Sequence, residues 1–165
     1  MKVIKGISRV NRSRRVSPRR AHLGKTIMLV AMLVLMSCSA SMEERIGQKA
    51  VDFASAYYNF RFNHALSLCT QESEKWIRFQ ASNIRQSDLD AYNAMADSAQ
   101  CSAVSVTLED DTTATAVLNV SNYVVTDSIC RTGSIGKNAQ LTLKMKKREG
   151  KWKVSLDALP KTILQ

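Results

Sequence analysis

The stretch 141-LTLKMKKREGKWKVSLDAL-159 decides the fold. Leu141, Leu143 and Met145 alternate with polar residues, the period-2 pattern of a strand with one buried face. Arg148-Glu149-Gly150-Lys151 interrupts it as a hairpin turn, with the glycine placed for positive φ. Trp152, Val154 and Leu156 then resume the alternation in a second strand.

Upstream, the same period recurs. Ala114, Ala116, Leu118 and Val120 line one face of a long strand that runs on to Val125, and residues 126–138, rich in Ser, Thr, Gly and Asn, read as a loop. Before the turn Glu109-Asp110-Asp111, the residues Val104, Val106 and Leu108 predict a further strand with those three side chains inward. Four antiparallel strands in a meander result.

Earlier still the period becomes helical. Ser41-Met42-Glu43-Glu44 fits a capping box, and Ile46, Ala50, Phe53, Ala54 and Tyr57 mark one apolar face across residues 42–60. A short helical turn is expected at 64–68. A second helix starts at Thr70 with Trp76, Ile77, Ala81 and Ile84 inward, and a third follows the cap at Ser87 with Leu89, Tyr92, Met95 and Ala96. Helices followed by a meander make an α+β domain, a curved antiparallel sheet with its apolar face covered by helices.

The opening 50-AVDFASAYYNFRFNHALSLC-69 and the closing 143-LKMKKREGKWKVSLDAL-159 resemble the nuclear-transport-factor-2-like (cystatin-like) superfamily. Within it they resemble a family of small bacterial lipoproteins sometimes labelled lumazine-binding-like. The resemblance covers residues 43–158. It implies a cone between sheet and helices that Trp152 enters, and dimerisation through the sheet. It transfers no activity.

Enzymes of that superfamily place an Asp, Glu or His inside the cone as general acid or base. Here the expected inward faces carry Val, Leu, Ala, Met and Trp, and no carboxylate. His64, the one histidine after the leader, sits beside a helix end, and Asp157 follows the last strand. Both read as solvated or packing side chains, so no catalytic residue is assigned and the chain is read as a non-enzyme. Tyr57, Trp76, Tyr92 and Trp152 are the candidate pocket-lining residues, with an ordinary helix–sheet core as the competing reading. Lys144, Lys146, Lys147, Arg148, Lys151 and Lys153 cluster on the last hairpin. They read as a solvated face, or as a surface for anionic head groups or wall polymers.

The start of the chain fixes the expected address. Of the 24 Lys and Arg residues, nine precede Cys38 with no acid among them, which leaves fifteen basic against fourteen acidic residues from Cys38 onward. The net charge of +10 thus belongs to the leader, and the nucleic-acid reading loses its footprint on the folded domain. The apolar run Thr26–Met36 is too short to span a bilayer, which takes about 20 residues, but suits the core of an export signal. It ends in Leu35-Met36-Ser37-Cys38, which resembles the lipobox of bacterial lipoproteins. That resemblance implies cleavage before Cys38 and lipidation of its thiol. A plain signal cut near Ala40 and an uncleaved anchor are the alternatives.

The expected organisation is a removed leader over 1–37, a short lipidated tether over 38–42, one domain over 43–158 and a tail over 159–165. Ser39 in place of an acidic tract favours the outer membrane of a Gram-negative cell, facing periplasm or surface. In an oxidising compartment Cys101 and Cys130 are the pair expected to join, leaving Cys69 buried. No cysteine spacing suits zinc, and no metal or cofactor is called for. The function expected is a membrane-anchored, non-enzymatic module that binds a small ligand or an envelope protein. The alternatives are a scaffold lipoprotein with a filled core and, less favoured, a cavity enzyme.

Overall fold

The computed structural model describes residues 41–126 and 133–164. The leader with Cys38, and Cys130, lie outside the described residues.

Helix α1, Met42–Tyr58, begins where Ser41 caps it: the Ser41 hydroxyl accepts from the Glu44 amide at 3.2 Å. Ile46, Ala50, Phe53, Ala54 and Tyr57 are buried along one face, as the spacing predicts. Gly47 lies on that face too. A Cβ there would stand 3.3 Å from Val106 and 3.4 Å from Ala103, so glycine lets the helix lie close on the first strand. At its far end the helix closes in a Schellman turn. The Arg61 amide donates to Ala56 O at 2.8 Å and the Phe60 amide to Tyr57 O at 3.2 Å, with Phe60 held at φ 56°. A bulky side chain in the left-handed region costs energy. Ring contacts of Phe60 with Phe62 and Tyr92, at 5.9 and 5.2 Å, offset it.

The buried amide of Asn59, which ends α1, pairs in both directions with one residue 40 positions away. Its Nδ2 donates to Ala99 O at 3.1 Å and to Ser55 O at 2.8 Å, and its Oδ1 accepts from the Ala99 amide at 2.9 Å. This satisfies the backbone of Ala99 just before the sheet starts and fixes where α1 ends over it.

Helix α2 is Phe62–Leu68, followed by a 3-10 turn at Gln71–Ser73, α3 at Glu74–Ser82 and α4 at Gln86–Ala94. The expected faces of the last two need correction. In α3 the inward residues are Ile77 and Gln80, while Ala81 is exposed and Ile84 lies beyond the helix end. In α4 the buried residue is Asp88; Leu89 is exposed and Ala96 lies beyond the helix, also exposed. Polar bonding, not apolar area, orients this helix. Asp88 accepts from the Arg85 amide and, across the fold, from the Gly133 amide, both at 3.0 Å. A second buried polar link joins helices to sheet. Ser73 Oγ accepts from the Leu156 amide at 2.7 Å and shares a 2.8 Å hydrogen bond with Thr70 Oγ1.

The sheet comprises β1 Gln100–Leu108, β2 Thr113–Val125, β3 Ser134–Arg148, β4 Lys151–Ser155 and β5 Thr162–Leu164. Strands β1 to β4 pair in sequence order, all antiparallel, and β5 pairs with β3. Helices laid on one antiparallel sheet give the α+β architecture read from the sequence.

Three details of the sheet differ from expectation. Strand β1 has a bulge between Ala103 and Ser105, so Cys101 and Val106 share the inner face and Val104, the extra residue, is 51% exposed. Strand β3 starts at Ser134, so part of the expected loop is strand. Gly136 stands opposite Tyr123, where a Cβ would come within 2.5 Å of the tyrosine ring, so glycine makes room for it. Residues 162–164, expected in a tail, add β5 at the other end of β3, beside Ala139–Leu141. The β3–β4 turn forms as predicted, with Glu149 as well as Gly150 at positive φ (51° and 75°), the signature of a type I′ turn.

Replacing Asn59 by alanine strands the buried N–H and C=O of Ala99 and should cost about 3 kcal/mol, at roughly 1–3 kcal/mol per unsatisfied group. Urea titration against the exposed control Asn63→Ala checks this, and a loss equal to the control's would show that the amide pairing carries no stability. Gly136→Ala should cost about 1–3 kcal/mol through displacement of the Tyr123 ring, visible as a lower urea midpoint with an unchanged slope.

Candidate surface groove

Among the described residues, buried side chains pack the space between helices and sheet. Phe53, Ile77, Leu118, Leu141, Leu143, Met145 and Val154 are all buried in one cluster. The sheet contributes small buried side chains at Ala114, Ala116 and Ala139, which lets the helix layer settle close on the strands. The hollow nearest the interior, beside Tyr57, Tyr58, Tyr123 and Pro160, holds about 110 Å³. That is below the several hundred Å³ of a usual ligand site.

A larger, open groove of about 360 Å³ lies on the surface, where the first two turns of α1 meet the end of α2 and the β3–β4 hairpin. Helix α1 supplies Met42, Arg45 and Lys49, whose spacing of three and four places them on one face. Ser67 and Leu68 close one wall, and Lys147, Lys151, Trp152 and Lys153 form the other. Lys147 pairs across the hairpin with Trp152, and the sharp turn at Glu149-Gly150 carries the basic strand ends up beside the helix. Met42 is 51% exposed and Trp152 half-buried, so the groove combines an apolar floor with five cationic side chains. Lys49 shares its charge with Asp52 at 3.5 Å. Arg45, Lys147, Lys151 and Lys153 make no ion pair among the described residues.

The four candidate pocket residues do not share one hollow. Tyr57 belongs to the core, stacked on Phe53 and edge-on to Tyr58 and Phe62, and reaches the small hollow. Trp76 packs against the core under the Lys75 ammonium, 5.2 Å from its ring centre. Tyr92 packs on Phe60. Trp152 lies against the edge of the core and walls the groove. His64 is exposed on α2. Asp157 is exposed and held by Lys144 at 3.0 Å, a partner that keeps its carboxyl below the usual carboxylate range. Asp88 is the buried carboxylate that the apolar patterning missed, and its oxygens are occupied by the two backbone amides. The α1 members of the groove were also missed. Arg45 and Lys49 are one helix-face apart in sequence, but nothing local ties them to a hairpin about a hundred residues on.

Cys69 is buried beside Val154, and burial raises its thiol above the ordinary range. Cys101 is half-buried, and burial pushes its thiol up to about 11. The expected pairing of Cys101 involves Cys130, which lies outside the described residues. Among the described residues no cluster of His, Cys, Asp and Glu could hold a metal ion, and no helix is long and apolar enough to cross a membrane.

No protein-family model matches the chain, and no curated protein matches it. Among solved structures it is similar to a Xanthomonas campestris protein described provisionally as a calcium/calmodulin-dependent protein kinase II association domain. The TM-score is 0.42 and the identity 14%, over 78% of this chain and 92% of that one. Nothing of that protein's assembly or activity transfers at such a likeness.

With burial pushing its thiol up to about 11, reduced Cys101 should be alkylated by iodoacetamide at pH 8 roughly a hundredfold more slowly than free cysteine. Site-resolved mass spectrometry of timed samples measures it, and labelling at the free-cysteine rate would contradict the buried environment.

Proposed function

We propose that this protein is a lipoprotein anchored through Cys38, and that its domain is a non-enzymatic interaction module of the cell envelope working through the surface groove. The groove is the observation that carries this reading: four cations that make no ion pair among the described residues, Arg45, Lys147, Lys151 and Lys153, surround an apolar floor, a composition suited to anionic or amphipathic partners. The filled interior favours binding at the surface over a small ligand held in the cone, and so draws the two non-enzymatic readings of the sequence together. The lipobox-like Leu35–Cys38 and the resemblance to small bacterial lipoproteins support the anchor, and Ser39 in place of an acidic tract supports an outer-membrane address. Two or three acyl chains on one cysteine hold a protein where a single chain does so only marginally.

The N-terminal mass of the protein recovered from a bacterial host tests the anchor, wild type beside Cys38→Ala. The expected result is a lipid-modified Cys38 at the mature N-terminus, with modification and membrane association both lost in the variant. An unmodified N-terminus near Ala40, with both forms soluble, would contradict the anchor.

A further inference from the structure

We infer that the groove seats anionic, phosphate-bearing lipid headgroups of the bilayer in which the protein is anchored. This deepens the proposed function and rests on the lipid anchor at Cys38. Only four residues of chain lead from Cys38 to Met42. At about 3.6 Å per residue they reach at most about 14 Å. Met42 is both the first residue of α1 and part of the groove floor. An anchored Cys38 therefore keeps Met42, and with it the α1 end of the groove, within about 14 Å of the headgroup layer.

The lining suits that depth. Met42, Leu68 and Trp152 offer apolar surface between the charges, and tryptophan favours the membrane–water interface. The stems of Arg45, Lys147, Lys151 and Lys153 can cover apolar surface while their charged heads meet phosphates. No Asp or Glu is among the residues that line the groove. Glu43 and Glu44 line a different hollow, on the β1 side of α1, and Glu149 in the turn makes no ion pair among the described residues. An acidic polypeptide would meet the same charges, but it has no reason to require the groove beside the anchor.

The test uses the processed protein purified from host membranes, its N-terminal mass already measured, carrying Trp76→Phe so that Trp152 is its one tryptophan. It is reconstituted in vesicles of phosphatidylcholine alone or of phosphatidylcholine with an equal amount of phosphatidylglycerol, each with bromine on the acyl chains. The expected result is stronger quenching and a blue shift of Trp152 in the phosphatidylglycerol vesicles, reduced by high salt. Lys147→Gln, Lys151→Gln and Lys153→Gln together should abolish the difference, each neutralisation weakening the interaction about fivefold. Lys137→Gln with Lys161→Gln should leave it intact. Hydrogen exchange across residues 147–153 of the unsubstituted chain reads the same contact should Trp76→Phe fail to fold.

A lipidated protein whose Trp152 and hairpin are indifferent to phosphatidylglycerol would overturn the headgroup seat and leave the anchor standing. A response to soluble polyglutamate but not to phosphatidylglycerol would overturn it in favour of an acidic protein partner. A mass without lipid would overturn both the anchor and the tethered seat built on it.

Discussion

The pairing of the Asn59 amide with the backbone of Ala99 fixes one end of α1, and the placement of the rest of the helix follows from it. With that end held at the start of β1, the 17 residues of the helix run back about 25 Å over the sheet. Gly47 sets how closely the helix lies on β1. The opposite end, capped by Ser41, then meets the β3–β4 hairpin, and the groove exists because these two arrive together. A buried amide bonded on both its nitrogen and its oxygen suits this work. It cannot slide along the strand without leaving polar groups unpaired.

The same placement explains why the groove, not the cone, is the functional candidate. A helix close to a sheet faced with Ala114, Ala116 and Ala139 leaves little free volume, and Phe53, Leu118 and Met145 take what remains. The polar links that tie helices to sheet, Ser73 to Leu156 and Asp88 to Gly133, use their side chains fully. The charges left over lie at the outer end of the hairpin. They are Lys147, which the register sets on the inner face beside Trp152, and Lys151 and Lys153, which edge the groove from the opposite face of the strand, together with the two that α1 adds.

Local pattern made most of this legible. The cap at Ser41, the apolar face of α1, the alternation in β2 and β4, and the Gly150 turn each depend on neighbours within a few residues. The misread parts depend on contacts far along the chain. The bulge at Val104 is invisible to a period count, because it shifts the phase within a strand rather than breaking it. Asp88 reads only as a first-turn residue after an expected cap at Ser87, until Arg85 is found at the cap and Gly133 donating to Asp88 from 45 residues away. Strand β5 has three residues and an Ile163 that faces solvent, so no alternation marks it. The groove is half legible. Its hairpin cations stand out in the sequence, while its α1 wall is joined to them only by the fold.

The central claim is that this domain acts through a surface groove and keeps its interior closed. Chemical-shift mapping of the processed, isotope-labelled protein in neutral and anionic bicelles tests it most directly. The account predicts that anionic lipid perturbs Met42, Arg45 and residues 147–153, with Phe53, Leu118 and Tyr123 unmoved. Perturbation centred on those interior residues, with the hairpin silent, would contradict it.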